Sequence, residues 1–121
     1  MNIIPRMKQT FIQLSRFVAK WRSLKLNDAD LSALEKLLMA DPDAGDVMAG
    51  TGGVRKIRFA PPSRHTGKSG AFRVAYTYFR TGDTVYLLTI YGKNEQENVT
   101  AEQKAEFKAL MKVLADFHKR K

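Results

Sequence analysis

The stretch FRVAYTYFRTGDTVYLLTIY, residues 72–91, contains two strand patterns joined by a turn. Phe72–Phe79 and Thr84–Tyr91 are rich in β-branched and aromatic residues, which favour β-strands. The four residues RTGD between them are short enough for the turn of an antiparallel hairpin. We therefore predict an antiparallel hairpin at the centre of the fold.

Two further strands and three helices are predicted around this hairpin. Val54–Ala60 alternates apolar and basic residues, and Thr10–Gln13 is a short β-prone stretch. Two helices are predicted between these strands, the first with Ser15 as its N-cap and the second beginning after Asn27. The apolar residues at helical spacing are Phe17, Val18, Trp21 and Leu24 in the first helix, and Leu31, Leu34, Leu37 and Leu38 in the second.

A third helix is predicted after the hairpin, because Thr100 and Gln103 match a capping box. Its apolar face consists of Phe107, Leu110, Met111, Leu114 and Phe117. The predicted order is β-α-α-β-β-β-α, an α+β fold in a single domain over residues 1–121. We expect residues 1–7 to be a disordered extension and residues 118–121, HKRK, to be a solvated basic tail.

Composition indicates a polyanionic partner. The 121 residues include 21 Lys plus Arg against 12 Asp plus Glu, which gives a formal net charge of +9. The chain has no cysteine and only two histidines, so we expect no disulfide, no metal and no cofactor. No apolar run approaches the roughly 18 residues of a membrane span, and the first residues lack a signal-peptide pattern. We therefore expect a cytoplasmic protein without membrane association.

The positive charge is concentrated in the central third of the chain. No acidic residue lies between Asp46 and Asp83. The basic residues of this interval are Arg55, Lys56, Arg58, Arg64, Lys68, Arg73 and Arg80. Strand alternation places Lys56 and Arg58 on one face, and Arg73 on the next strand can lie near them. Because adjacent like charges cost stability unless an anion neutralises them, this cluster suggests a phosphate-binding site.

A loop between two of the predicted strands, RHTGKSG, residues 64–70, contains the Gly-Lys-Ser that ends a nucleotide-binding P-loop. The first glycine of that motif would fall at position 62, which is Pro62. Proline donates no backbone hydrogen bond, so the spacing argues against an NTPase. The loop still places Arg64 and Lys68 where they can meet phosphates, and Gly67 and Gly70 permit close backbone approach.

The segments AGTGGVRKIRFAPPSRHTGKSGAFRVAYTYF and VYLLTIYGKNEQENVT together resemble the RelE/ParE superfamily of bacterial type II toxins, most closely its HigB-type branch. The resemblance covers the chain from about Thr10 to the last helix. It implies a RelE-like fold with two N-terminal helices packed on a small antiparallel β-sheet. It also implies an mRNA interferase that cuts messages in the ribosomal A site and is held inactive by a cognate antitoxin, of the helix-turn-helix HigA type.

The resemblance places Lys56 and Arg58 on the paired basic positions of a strand, and Arg73 on the arginine that contacts the scissile phosphate. Metal-free RNA cleavage needs a base for the 2′-OH, charge stabilisation at the phosphate and an acid for the leaving oxygen. We assign Arg58 and Arg73 to charge stabilisation, because each guanidinium can contact two phosphate oxygens. Lys56 is either the general base or another phosphate clamp.

The chain departs from the family pattern after YGK, where Asn94 and Thr100 stand in place of an arginine and a tyrosine. The general acid therefore cannot be copied, and Tyr91, Lys93 and His65 are the available substitutes. We favour Lys93 as the fourth catalytic residue. The predicted RNA-binding residues are Arg55, Arg64, His65, Lys68, Tyr91 and Asn94.

Three interpretations remain open from the sequence. A ribosome-dependent endoribonuclease accounts best for the basic strands, with the ribosome and mRNA as its partners. A ParE-like inhibitor of DNA gyrase and a non-catalytic RNA-binding module are the alternatives. Lys104, Lys108 and Lys112 lie at four-residue spacing, which is typical of a solvated helix face, with contact to ribosomal RNA as the other reading.

Overall fold

The computed structural model describes residues 9–64, 71–92 and 99–119 of the chain. This part contains three α-helices and five β-strands. In chain order they are β1 (Thr10–Gln13), α1 (Ser15–Ser23), α2 (Asp28–Ala40), β2 (Asp46–Val47), β3 (Arg55–Phe59), β4 (Phe72–Phe79), β5 (Thr84–Gly92) and α3 (Ala101–Lys119). The predicted α+β fold is confirmed, and the structure adds the two-residue strand β2, which is too short to show a sequence pattern.

The strands form one sheet in the order β1-β5-β4-β3-β2. The predicted hairpin of β4 and β5 is antiparallel, and its turn closes with a 3.0 Å hydrogen bond from the Asp83 amide to the Arg80 carbonyl. Gly82 and Asp83 both have positive φ there. β1 instead runs parallel to β5, so the sheet is mixed rather than wholly antiparallel.

Helix capping follows the sequence at two of the three predicted starts. Asn27 and Asp30 cap the start of α2 reciprocally, and Thr100 and Gln103 form the predicted capping box before α3. The start of α1 differs, because Leu14 occupies the N-cap and Ser15 is the first helical residue. Ser15 therefore does not cap the helix.

The sheet separates two hydrophobic clusters. On one face α1 and α2 pack Phe17, Trp21, Leu34 and Leu38 against the strands. On the other face Phe107 of α3 packs against a second cluster of residues, Met48, Val54, Ala75, Tyr86, Leu88, Tyr91 and Val99. None of the described helices is both long and apolar enough to span a bilayer.

The C-terminal end of α3 corrects one prediction. His118 was expected in a solvated tail, but it lies in α3 and is only 6% exposed, whereas Phe117 is 50% exposed. The His118 ring stacks on Phe79 with centroids 4.4 Å apart, and its Nε2 shares a 2.8 Å hydrogen bond with the Tyr86 hydroxyl. The His118 side chain therefore packs against the sheet, and Phe117 does not take that place. Residues 120 and 121 lie outside the described part, as do residues 1–7.

The glycine-rich segment 48–54 supports α3. The Thr51 hydroxyl donates to the Met48 carbonyl at 2.7 Å and accepts from the Val54 amide at 3.0 Å, which closes the loop on itself. Gly52 has φ +80°, and a Cβ there would lie 3.2 Å from Cβ of Met111 in α3. The glycines thus allow the loop to approach the helix closely.

Candidate nucleic-acid interface

Three predicted site residues come together on the sheet. Arg58 of β3 pairs directly with Arg73 of β4, and Lys56 pairs with Ala75 in the same register. Directly opposed residues of an antiparallel pair point to the same face. The face of the sheet that carries α3 therefore also carries three basic side chains, Lys56, Arg58 and Arg73. We call these three residues the cationic row.

Among the described residues, no carboxylate forms an ion pair with the cationic row, although Asp46 of β2 is the cross-strand neighbour of Lys56. The ion pairs of the described residues lie elsewhere: Arg16 pairs with Glu106, and Arg55 and Arg80 both pair with Asp43. Arg58 is exposed, while Lys56 and Arg73 are half-buried, so solvent reaches the charges at the edge of the row. Among the described residues, Arg58 and Arg73 have no ion-pair partner and Lys56 has one acidic neighbour, so the row keeps a net positive charge suited to an anionic ligand.

Tyr91 extends the row onto β5, where it pairs with Arg73. Its ring is 3% exposed, and its hydroxyl is buried without a hydrogen-bond partner among the described residues. Burial raises the pKa of the Tyr91 hydroxyl, and the charge of Arg73 offsets part of that rise. Tyr91 therefore lies beside Arg73 as a neutral phenol whose hydroxyl does not reach the surface.

A groove of about 490 Å³ lies beside Tyr91, between α1, β5 and α3. Its lining includes Arg16, Lys20, Thr89, Tyr91, Thr100 and Gln103. Thr100 thus lines the groove next to Tyr91, at the position where the resemblance expected a tyrosine. The groove is polar and open at this end of the sheet.

Arg55 is not part of the row, although it was predicted to bind RNA beside Lys56. It pairs with Tyr76, whose side chain lies in the cluster under α1 and α2. Its Nη1 donates to the carbonyls of Asp43 at 3.0 Å and Gly45 at 2.6 Å, and its Nη2 lies 3.6 Å from the Asp43 carboxylate. Alternation along β3 directs Arg55 away from the row, where it fastens the loop before β2.

Arg64 is also separate from the row. Its guanidinium donates to the Leu24 carbonyl at the end of α1 and lies 5.5 Å from the centroid of the Phe72 ring. Phe72 belongs to the cluster that α1 and α2 cover. Arg64 is exposed, but it lies on the opposite side of the sheet from Arg73 and holds the end of α1.

Four predicted residues lie outside the described residues. His65 and Lys68 belong to the segment 65–70 that connects β3 to β4, and Lys93 and Asn94 follow β5. Their roles in catalysis or RNA binding stay predictions. The described residues contain no group of three or more His, Cys, Asp or Glu side chains placed to hold a metal ion.

Asp30, in the first turn of α2, positions the segment around Ser63. Its carboxylate accepts hydrogen bonds from the Asn27 amide at 3.1 Å, the Ser63 amide at 2.9 Å and the Ser63 hydroxyl at 2.6 Å. Burial raises the pKa of Asp30, but these bonds and the nearby Arg64 outweigh it and leave the pKa below its ordinary value. Only the Asn27 bond has a sequence signal, since Ser63 is distant in the chain.

The fold has counterparts among known proteins. The model of the family described as the RelE toxin of the RelE/RelB toxin-antitoxin system matches residues 10–121. The free E. coli toxin RelE, as a double arginine-to-alanine mutant, is similar in structure with a TM-score of 0.54 and 17% identity, over 83% of this chain and 97% of that chain.

Two further E. coli structures are similar at lower scores. The intact RelBE toxin-antitoxin complex gives a TM-score of 0.49 with 18% identity, over 69% of this chain and 95% of that chain. The isolated RelE toxin gives 0.48 with 18% identity, over 81% and 95%. The fold assignment rests on the family match and on the free mutant, and neither separates a HigB-type branch from the rest of the family.

Proposed function

Because this chain belongs to the RelE toxin family, it is the toxin of a toxin-antitoxin system, and we propose that it is a ribosome-dependent endoribonuclease that cleaves translated mRNA. The observation that carries the proposal is the cationic row of Lys56, Arg58 and Arg73, with no carboxylate partner among the described residues. A row of cations with a net positive charge suits the phosphate of a polynucleotide.

The row can supply the electrostatic part of RNA cleavage with side chains alone. Arg58 and Arg73 are opposed across two strands, so both guanidinium groups can contact one phosphate as negative charge develops in the transition state. Lys56 lies on the same face two residues before Arg58, where it can act on the 2′-OH or hold a neighbouring phosphate oxygen. Lys93 is our candidate for protonating the leaving oxygen.

We also propose the partners that this activity requires. The ribosome and its mRNA are the substrate complex, and a cognate antitoxin, of the helix-turn-helix HigA type, holds the toxin inactive. The family description supports a cognate antitoxin, because it names a toxin-antitoxin system. We further propose that the protein is a single domain that acts in the cytoplasm, where translating ribosomes are found.

The test is to map mRNA ends after inducing the wild-type protein and the Arg73→Ala variant. We expect codon-spaced cuts in translated messages with the wild type. We expect Arg73→Ala to reduce cleavage by about 10²–10³-fold, the usual effect of removing one group that stabilises a transition-state charge. Arg22→Ala is the matched control, because Arg22 is an exposed arginine of α1 outside the row.

Each other outcome points to a different function. Full toxicity of a folded Arg73→Ala variant would show that the row is not the site. DNA-damage signalling without mRNA cuts would indicate a gyrase inhibitor instead. Salt-sensitive RNA binding with intact messages would indicate a binding module without catalysis.

A further inference from the structure

A second groove, of about 520 Å³, lies between β2 with its following loop and the start of α3. Lys56 of β3 and Lys104 of α3 both line it, and Asp46 is the acidic residue among its lining residues. The buried residues Met48 and Val99 also contribute to the lining. The groove therefore combines two lysines and one aspartate with an apolar lining of Val47, Met48, Ala49 and Val99.

This groove is continuous with the cationic row, because Lys56 belongs to both. Arg58 and Lys56 lie on the same face of β3, two residues apart, and Arg73 is opposite Arg58. From Arg73, the cations run through Arg58 to Lys56 and then across the groove to Lys104. A polyanion held at Arg73 and Arg58 would thus meet Lys56 and Lys104 next.

The helix extends the same line of charge. Lys104, Lys108 and Lys112 are four residues apart and so lie along one side of α3. The glycine-rich loop lies against that side, since a Cβ on Gly50 would be 3.7 Å from the Lys104 Cδ and one on Gly52 would be 3.8 Å from the Lys108 Cα. The loop packs on the half-buried Lys104 stem, which reduces the conformational entropy that its ammonium would lose on binding an anion.

We propose that this groove binds the phosphate backbone of the RNA strand next to the cleaved phosphate, with Lys104 as its principal contact and Lys108 and Lys112 continuing the track. The inference rests on the proposed function in taking RNA as the ligand and the cationic row as the place where it is cleaved. RNA accounts for the groove better than an acidic protein segment does, because the groove leads directly from the row that faces the cleaved phosphate.

The test measures binding of a short single-stranded RNA, 2′-O-methylated throughout so that it cannot be cleaved. Fluorescence anisotropy across a salt series gives the slope of log Kobs against log[salt]. Each lost phosphate contact on a single strand lowers the magnitude of that slope by about 0.7. We expect this change for Lys104→Gln, about twice the change for Lys104→Gln with Lys108→Gln, and a wild-type slope for Lys104→Arg.

Two matched variants separate the groove from the general charge of the protein. Lys36→Gln removes the same charge from the exposed side of α2, on the opposite face of the sheet, and should leave the slope unchanged. Asp46→Asn removes the carboxylate that lines the groove and should tighten binding. Thermal unfolding of every variant shows whether it is folded, and an unfolded Lys104→Gln is replaced by Lys104→Met, which keeps a long side chain without the charge.

An unchanged slope for folded Lys104→Gln overturns the proposal, and so does equal weakening by Lys36→Gln or a failure of the wild type to bind the RNA. A loss of antitoxin binding with unchanged RNA binding would assign the groove to the antitoxin. Cleavage of translated mRNA is measured separately. If the wild type binds RNA through Lys104 but cuts no message, the groove stands and the proposed nuclease activity fails.

Discussion

Neighbouring residues of one strand have separate tasks in this protein. Lys56 and Arg58 lie on the face that carries α3, whereas Arg55 turns to the other face and binds the carbonyls of Asp43 and Gly45. The difference follows from the two-residue period of a strand. The charge of a side chain alone therefore does not identify a ligand contact. The face of the sheet to which the side chain points must be known as well.

The acid dependence of stability can be traced to Asp30. Because its folded pKa lies below the value of about 3.9 for an unperturbed aspartate, the carboxylate stabilises the fold above that pH and loses the effect as pH falls through the folded pKa. We expect Asp30→Asn to lower the free energy of unfolding at neutral pH by about 1–3 kcal/mol, since Ser63 loses a charged acceptor. Urea unfolding from neutral to acid pH should show this difference shrink.

Asp28→Asn is the control, because Asp28 is exposed in the same first turn of α2. Its effect on the free energy of unfolding should be much smaller than that of Asp30→Asn. A difference between wild type and Asp30→Asn that stayed constant down to acid pH would mean that the charge of Asp30 is not what holds Ser63.

At the site, the sequence predicted the part that depends on local periodicity. Lys56 and Arg58 share one face because of strand alternation, and the pairing of β3 with β4 brings Arg73 opposite Arg58. Strand alternation already separates Arg55 from Lys56, but the contacts of Arg55 with the loop at Asp43 and of Arg64 with the Leu24 carbonyl form only after the chain folds. The burial of the Tyr91 hydroxyl likewise depends on where α3 packs.

Among the elements, α3 shows how a hydrophobic pattern can mislead at a helix end. Phe107, Met111, Leu114 and His118 follow the spacing of one helix face, and Phe117 lies about 100° away from His118. Hydrophobicity favoured Phe117 as the last buried residue, but geometry selects His118. The imidazole is accepted there because Phe79 stacks on it and Tyr86 bonds to it.

The His118→Ala variant tests how the last turn of α3 is held. Loss of the Phe79 stacking and the Tyr86 hydrogen bond should lower the free energy of unfolding by about 2 kcal/mol. Amide hydrogen exchange in the last turn of α3 should become faster. We expect His118→Phe to cost less, because a phenyl ring keeps the stacking and loses only the hydrogen bond.

Phe117→Ala serves as the comparison at the adjacent position, where the side chain is half exposed. Its effect on stability should be smaller than that of His118→Ala. If Phe117→Ala were the more damaging of the two, the end of α3 would be anchored by Phe117 and the sequence expectation would be restored.

For the whole molecule, one sheet joins two hydrophobic clusters that share the same strands. Val74 and Ala75 are neighbours on β4, yet Val74 packs under α1 and α2 and Ala75 packs under α3. Neither cluster can lose its strands without exposing the other. The two layers are therefore expected to unfold together.

Leu34→Ala and Phe107→Ala test this coupling from opposite faces. Both residues are at most 4% exposed, so each truncation should lower the free energy of unfolding by about 2–5 kcal/mol. Each variant should still show one transition, with coincident curves from far-UV circular dichroism and tryptophan fluorescence. Trp21 reports the cluster under α1 and α2. Two separate transitions in either variant would show that the layers are independent.

The whole-molecule topology was only partly predictable. The class and order of the longer elements follow from hydrophobic period, and the hairpin follows from its turn. The direction of β1 does not, because a four-residue strand has the same alternation whichever way it runs. Its parallel pairing is set by the long path through α1, α2 and the rest of the sheet.

That pairing constrains when the protein can finish folding. β1 precedes β5 in the chain, so Thr10 has no neighbour in the sheet until Thr84 of β5 has been synthesised. A contact between such distant residues forms late, because a long loop must close first. The edge of the sheet at β1 is therefore completed only after β5 has been made and has paired with it.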